Sequence, residues 1–285
     1  MSIPGASANP AVNFAEQHLP AHREFFASLY RQAQIGQATR GTTKHARQSH
    51  LGGSPMVPNG FEWPRTADDF PLTLLGQIWL NECQLPWLPS EGSLLFFATV
   101  VEGEISAQFP DDGAVRWVPN SSGPSGQLRE VTAPTSYLGG KSIPTSERDV
   151  PLRHVPLEFT SAEMLPSEDA TLFAAEGIEL SPRQANTWRD IANASMPSDS
   201  PIWLGGYPAL LQDDLTPYCV HQAAGIESPP LDEEIQLSSE VLRAAKDLVL
   251  LAQFNRDEGS AYFYMSRQAL QAREFDKAQL WVQRD

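Results

Sequence analysis

An α+β fold, mostly antiparallel sheets in two internally repeated halves with peripheral helices, is what this 285-residue sequence predicts. Three observations carry the prediction. Short segments recur in the same order in both halves of the chain. Apolar, strand-like runs are bounded by Gly-Gly, Gly-Ser and proline turns. Segments with helical spacing are few and stand apart from the strands, which favours sheets with helices at their ends. The implied organisation is an N-terminal helical segment over 1–50, a first half over 51–160, a helical connector over 161–203 and a second half over 204–285. Residues 51–285 are expected to form one compact domain.

The elements follow in chain order. Asn9-Pro10 has the form of a helix cap with proline at the first helical position. A helix from about Ala21 would carry Phe25, Phe26, Leu29 and Tyr30 on one face and stop at Gly36. Leu51-Gly52-Gly53-Ser54-Pro55 opens the first half and reappears as Leu204-Gly205-Gly206-Tyr207-Pro208. The paired glycines supply positive φ or a close backbone approach, and the proline stiffens the exit.

Leu74-Leu75-Gly76-Gln77-Ile78 returns as Leu250-Leu251-Ala252-Gln253-Phe254, and both read as strands. Strict alternation would put Leu75, Gln77 and Trp79 on one face and Leu74, Gly76 and Ile78 on the other. Gly92-Ser93-Leu94-Leu95-Phe96-Phe97 returns as Gly259-Ser260-Ala261-Tyr262-Phe263-Tyr264, the strand that closes each hairpin. Asn255 to Glu258 forms the second hairpin's loop, whereas the first half inserts Gln84 to Pro89. Between Asp111 and Thr160 short strands and turns are expected, with Gly123-Pro124-Ser125-Gly126 and Gly139-Gly140 as loop signals. Ser181-Pro182, Ser238-Ser239 and Ser266 each precede a helix, and Gln279-Leu280-Trp281-Val282 is a last strand.

Bulk charge removes whole function classes. Thirty-five acids against twenty basic residues give −15, which disfavours nucleic acid and anionic membrane surfaces as ligands. No apolar run approaches the length of a membrane span, and Met1 to Asn13 lacks the pattern of a secretory signal. Two cysteines, Cys83 and Cys219, point to a reducing compartment, so a cytoplasmic location is expected. From Asp199 to Glu258 eleven acids face only Arg243, Lys246 and Arg256, a local balance of −8.

With these blocks in hand, the chain resembles the YwqG-like family, a bacterial group without an assigned biochemical function. The resemblance rests on Gly52-Gly53-Ser54-Pro55, Phe61-Glu62-Trp63-Pro64, Leu75-Gly76-Gln77-Ile78 and Leu95-Phe96-Phe97. In the second half it rests on Gly206-Tyr207-Pro208 with Gln212, Leu251-Ala252-Gln253-Phe254, Gly259 to Tyr264, and Phe275 with Leu280 to Gln283. The chain departs from the family where Arg256-Asp257-Glu258 replaces a longer acidic stretch, so a site built there is not expected to carry over. The resemblance implies a cytoplasmic, internally duplicated α+β protein, and an immunity role beside secreted toxins. It supplies no catalytic residues.

Chemistry-bearing patterns are sparse. His18 and His22 have helical ligand spacing, but Pro20 lies between them and nothing completes a metal shell. Cys219 and His221 would share a strand face. The acid pairs Asp68-Asp69, Asp111-Asp112 and Asp213-Asp214 lie at turns. Neither a metal nor a cofactor is expected, and no nucleophile elbow, phosphate loop or dinucleotide fingerprint occurs. Arg40, Lys44 and Arg47 form a local basic cluster before the Gly-Gly turn.

Two functions follow from the residues. The first is a non-enzymatic acidic binding protein, an immunity protein neutralising a basic toxin. It would use Trp63, Trp87 and Tyr207 as anchors and Asp213, Asp214, Asp232, Glu233 and Glu234 as the charged face. The alternative is an enzyme or small-ligand binder with its site between the two halves, where Gln77, Gln253, Arg47 or His221 would converge. Gln77 and Gln253 also have a structural reading, in which each buried amide ties down a nearby loop.

Overall fold

A computed structural model describes residues 9–39, 47–101, 104–105, 112–120, 128–132, 136–138, 141–143, 152–167, 171–197, 199–212, 214–223, 238–256 and 259–284. The chain divides into two compact units. One gathers 1–33, 162–198 and 206–246; the other gathers 34–161, 199–205 and 247–285.

The first unit is helical: α1 (Pro10–His18), α2 (Arg23–Ala27), α3 (Thr171–Ala175), α4 (Pro182–Asn193), α5 (Thr216–Ala223) and α6 (Ser239–Ala245). The expected caps operate. Asn9 accepts from the Val12 amide at 3.0 Å, Ser238 accepts from Val241 at 3.2 Å, and Gln184 reaches back to the Ser181 amide at 2.9 Å. Phe14, Phe26, Phe173 and Trp188 form the core of this unit, with ring centroids 5.0–5.8 Å apart. The Trp188 indole N–H, buried with them, donates to the Pro166 carbonyl at 3.0 Å.

The second unit is built on β1 (Arg31–Ala38), β2 (His50–Leu51), β3 (Thr73–Trp79), β4 (Ser93–Ala98) and β5 (Gly113–Val118). With them stand β6 (Val155–Met164), β7 (Ile202–Gly205), β8 (Leu248–Arg256), β9 (Gly259–Ser266) and β10 (Gln279–Arg284), and α7 (Arg267–Ala272) follows β9. The ten strands make one sheet in the order β10-β9-β8-β7-β1-β6-β2-β3-β4-β5. The sheet-rich, antiparallel α+β class is therefore the one observed.

The repeated sequence blocks fall in strands with the same neighbours and the same register. In the first hairpin Gly76 pairs with Phe96, Gln77 with Leu95 and Ile78 with Leu94; in the second Ala252 pairs with Phe263, Gln253 with Tyr262 and Phe254 with Ala261. Each hairpin carries an irregularity at the matching place, between Leu74 and Gly76 and between Leu250 and Ala252. Leu51 pairs with Gly76 as Leu204 pairs with Ala252. All four turn glycines have positive φ: Gly52 53°, Gly53 71°, Gly205 70° and Gly206 68°.

The bulge corrects the expected alternation. The extra residue lets Leu75 join Ile78 in the main core, while Leu74 packs with Val57, Leu72, Leu95 and Phe97 on the opposite face. The main core collects the inward side chains of both hairpins. Phe96 lies 5.2 Å from both Phe254 and Phe263, centroid to centroid, and burying such a ring stabilises by about 1.5–3 kcal/mol. The outermost strands also meet. A Cβ on Gly113 of β5 would sit 2.4 Å from Leu280 of β10, and Trp117 lies 6.2 Å from Phe275.

Three expectations need correction. The helix expected from Ala21 to Gly36 ends at Ala27, and Arg31–Ala38 is a central strand. Gly36 is not a stop: a Cβ there would lie 2.7 Å from Ile202, so glycine allows a close approach within the sheet. Cys219 and His221 lie on α5, not on a strand, and residues two apart on a helix diverge. The second hairpin loop is shorter than expected, because β8 and β9 pair as far as Arg256 and Gly259.

Candidate functional site

The Gly52-Gly53 turn organises the best-defined polar environment in the second unit. The Gly53 amide donates to the Leu152 carbonyl at 2.7 Å and the Gly52 amide to the Leu75 carbonyl at 2.8 Å. A Cβ on Gly52 would lie 2.3 Å from the Leu152 oxygen and 2.7 Å from the Arg153 oxygen; one on Gly53 would lie 2.9 Å from His154. Only glycine meets both the left-handed backbone and this contact. The turn thereby fixes the segment Leu152–His154 against β2.

His50 locks the same turn from inside. Its ring is 4% exposed and its Nδ1 lies 2.7 Å from the Gly52 carbonyl, so Nδ1–H is the donor. The His154 ring is 4.4 Å away, centroid to centroid. Burial first, and the neighbouring His154 second, push His50 down to about 4. The unfolded chain therefore takes up this proton near pH 6.5 and the folded chain only near 4. The stability from a neutral His50 is full above 6.5 and is lost as pH falls through 4, about 3 kcal/mol in all. His50→Asn, which keeps an N–H donor but cannot titrate, is expected to flatten the pH 7 to pH 4 fall in the urea midpoint. An unchanged slope would remove His50 as its source.

Gln77 holds the exit of the turn. Fully buried, it accepts from the Met56 amide at 2.8 Å and donates to the Met56 carbonyl and Ser93 Oγ, both at 2.9 Å. Gln253 is equally buried and donates to Asn255 Oδ1 at 2.8 Å; Asn255 in turn donates to the Ser200 carbonyl at 2.8 Å. Gln77 thus ties down the backbone beyond the Gly-Gly turn, whereas Gln253 is linked to the Ser200 carbonyl through Asn255.

Beside the turn lies a cleft of about 300 Å³. Leu51, Leu75, Ile105, Leu152, Val155, Pro201 and Phe254 make its apolar surface, and Asn255, Arg153 and Arg256 are its polar residues. Its walls come from both hairpins and from the segment that the Gly-Gly turn fixes. Neither Arg153 nor Arg256 forms an ion pair among the described residues.

The sequence-predicted residues are dispersed. Trp63 packs 5.1 Å from Phe97 and donates its indole N–H to the Leu72 carbonyl at 2.7 Å. Trp87 is half-buried against the main core. Tyr207 is buried under the Arg31 guanidinium, 4.3 Å from the ring centroid. Arg47 is exposed, 5.9 Å from the Trp79 ring. Asp214 caps two helical starts, accepting from the amide and hydroxyl of both Thr171 and Thr216 at 2.7–2.9 Å. Of the candidates for convergence, Gln77, Gln253, Arg47 and His221 do not line the cleft. Arg40, Lys44, Asp111, Asp213, Asp232, Glu233, Glu234, the Gly123–Gly126 loop and Gly139-Gly140 lie outside the described residues.

Burial pushes the Cys83 and Cys219 thiols up, so neither is a ready thiolate. Among the described residues no three His, Cys, Asp or Glu side chains gather as a metal shell, and no helix is long and apolar enough to cross a membrane.

A sheet-rich α+β protein with an amphipathic cleft is the class that fold and site define. The family model described as a domain of unknown function, DUF1963, matches residues 49–283, and the chain belongs to that family. No curated protein matches it.

Proposed function

We propose that this chain is a non-enzymatic binding protein, that its recognition site is the cleft beside the Gly52-Gly53 turn, and that its two sheet halves descend from one copied unit, as the YwqG-like resemblance implies. The cleft carries the reading. It is concave, mainly apolar, and at the lower end of the size range of small-molecule sites. Its walls are held by buried hydrogen bonds and by glycines under close contact, so it is preformed. Matching register, matching bulges and four positive-φ glycines support the duplication.

An uncharged, environment-sensitive dye such as Nile red tests the site. One dye per chain is expected to bind the wild type, and Leu152→Trp, which fills the cleft from a half-buried position, is expected to abolish binding at an unchanged urea midpoint. Equal dye binding by both proteins would overturn the reading.

A second reading, a cytoplasmic immunity protein that neutralises a basic toxin, draws its support from the net charge of −15. Of the acids first considered for that face, Asp214 is committed to helix capping.

A further inference from the structure

We propose that the cleft takes a small amphipathic carboxylate, with the apolar body against Leu51, Leu75 and Phe254 and the carboxylate received by Arg153 and Arg256; this rests on the cleft being the recognition site.

The argument is one of charge complementarity against the trend of the whole molecule. Acids outnumber basic residues thirty-five to twenty along the chain. Yet among the described residues the ionisable side chains of the cleft are both arginines, and none is an acid. The remaining polar side chain, Asn255, is already committed: its nitrogen donates to Ser200, and its oxygen accepts from Gln253 Nε2 and Ser260 Oγ, each at 2.8 Å. The Leu152 carbonyl is likewise taken, by the Gly53 amide. Among the described lining residues the charged side chains are therefore two guanidiniums, which donate and never accept.

An anion is the partner whose charge they match, and the planar fork of a guanidinium fits a carboxylate. The apolar residues of the lining require the rest of the ligand to be hydrocarbon. A phosphate ester fits less well, because a second charge would have to be desolvated against those same apolar walls. The net charge of −15 also opposes a highly charged polyanion in the surrounding field. Arg153 is pinned by position: it lies in the segment that Gly52 and Gly53 fix, one residue before His154. Arg256 ends β8, paired with Gly259.

Titration calorimetry with the full chain compares octanoate and phenylacetate against octanol, octylamine and inorganic phosphate. The carboxylates are expected to bind one to one, about tenfold more tightly than octanol, with affinity that falls as salt is added. Arg153→Gln and Arg256→Gln are each expected to weaken octanoate about fivefold or more and to weaken octanol by much less. Equal affinity for octanoate and octanol, or octanoate binding indifferent to both arginine variants, would overturn the proposal. So would tighter binding of phosphate than of octanoate. If Nile red also fails to bind, the cleft itself is not the site; if Nile red binds and octanoate gains nothing over octanol, only the ligand chemistry is wrong.

Discussion

Gly52→Ala is expected to unfold the protein or to cost it about 3–5 kcal/mol, a large part of the stability of an ordinary domain. Two penalties act together. The backbone at Gly52 has φ 53°, and a side chain in the left-handed region costs about 1 kcal/mol or more. The new Cβ would also lie 2.3 Å from the Leu152 oxygen and 2.5 Å from its carbonyl carbon. Those are main-chain atoms, so no rotamer change relieves the contact. The Leu152–His154 segment must move, and the hydrogen bond from Gly53 to Leu152 goes with it.

Gly60→Ala separates the two penalties. Gly60 has φ 79°, but nothing lies within 4 Å of its would-be Cβ. It should cost only the backbone share, about 1 kcal/mol. Urea unfolding of both variants checks this. Equal losses would mean that the close approach to Leu152 contributes nothing.

The hairpins were legible in the sequence because their signals are local. Gly-Gly-x-Pro turns, apolar runs and Gly-Ser strand starts fall at matching places in both halves, and the pairing of Gly76 with Phe96 and Ala252 with Phe263 follows. Gln77 was legible too, as a polar residue in an apolar strand. The central strand β1 was not. It is buried over Ala33–Gly36, where Gln34 and Gly36 break the apolar run, and the preceding phenylalanines suggest a helix that continues. Its neighbours in the sheet, β6 and β7, come from far along the chain, and no local pattern encodes such a pairing.

The cleft was illegible for the same reason. Arg153 and Arg256 are separated by most of the second half of the sequence, and neither sits in a motif. His50 gave no sign of burial, since a histidine beside a glycine turn is ordinarily exposed. Its depressed pKa arises from tertiary packing against His154 and under the turn. The recurring sequence blocks pointed to the neighbourhood of the Gly-Gly turn. The residues that line the cleft lie for the most part outside those blocks.

Gln77→Leu is expected to cost about 3–5 kcal/mol, because it strands three polar partners at once. Leucine is close to glutamine in volume and suits an apolar strand, so no cavity follows. The loss comes from the Met56 N–H and C=O and from Ser93 Oγ, all of which the amide satisfies at 2.8–2.9 Å. The side chain does for Met56 what a neighbouring strand would do, using one acceptor and one donor on the same residue. Met56 pairs on its other side with Glu130, so without Gln77 this short ribbon has an unpaired inner edge. Ser93→Ala removes one of the three contacts and should cost about 1 kcal/mol. The double variant should lose less than the sum, since the Ser93 contact is already gone in Gln77→Leu. Hydrogen exchange localises the effect: the Met56 amide should be protected in the wild type and in Ser93→Ala, and exposed in Gln77→Leu while the β8–β9 amides stay protected. A Met56 amide that remains protected in Gln77→Leu would mean that the glutamine does not hold the turn's exit.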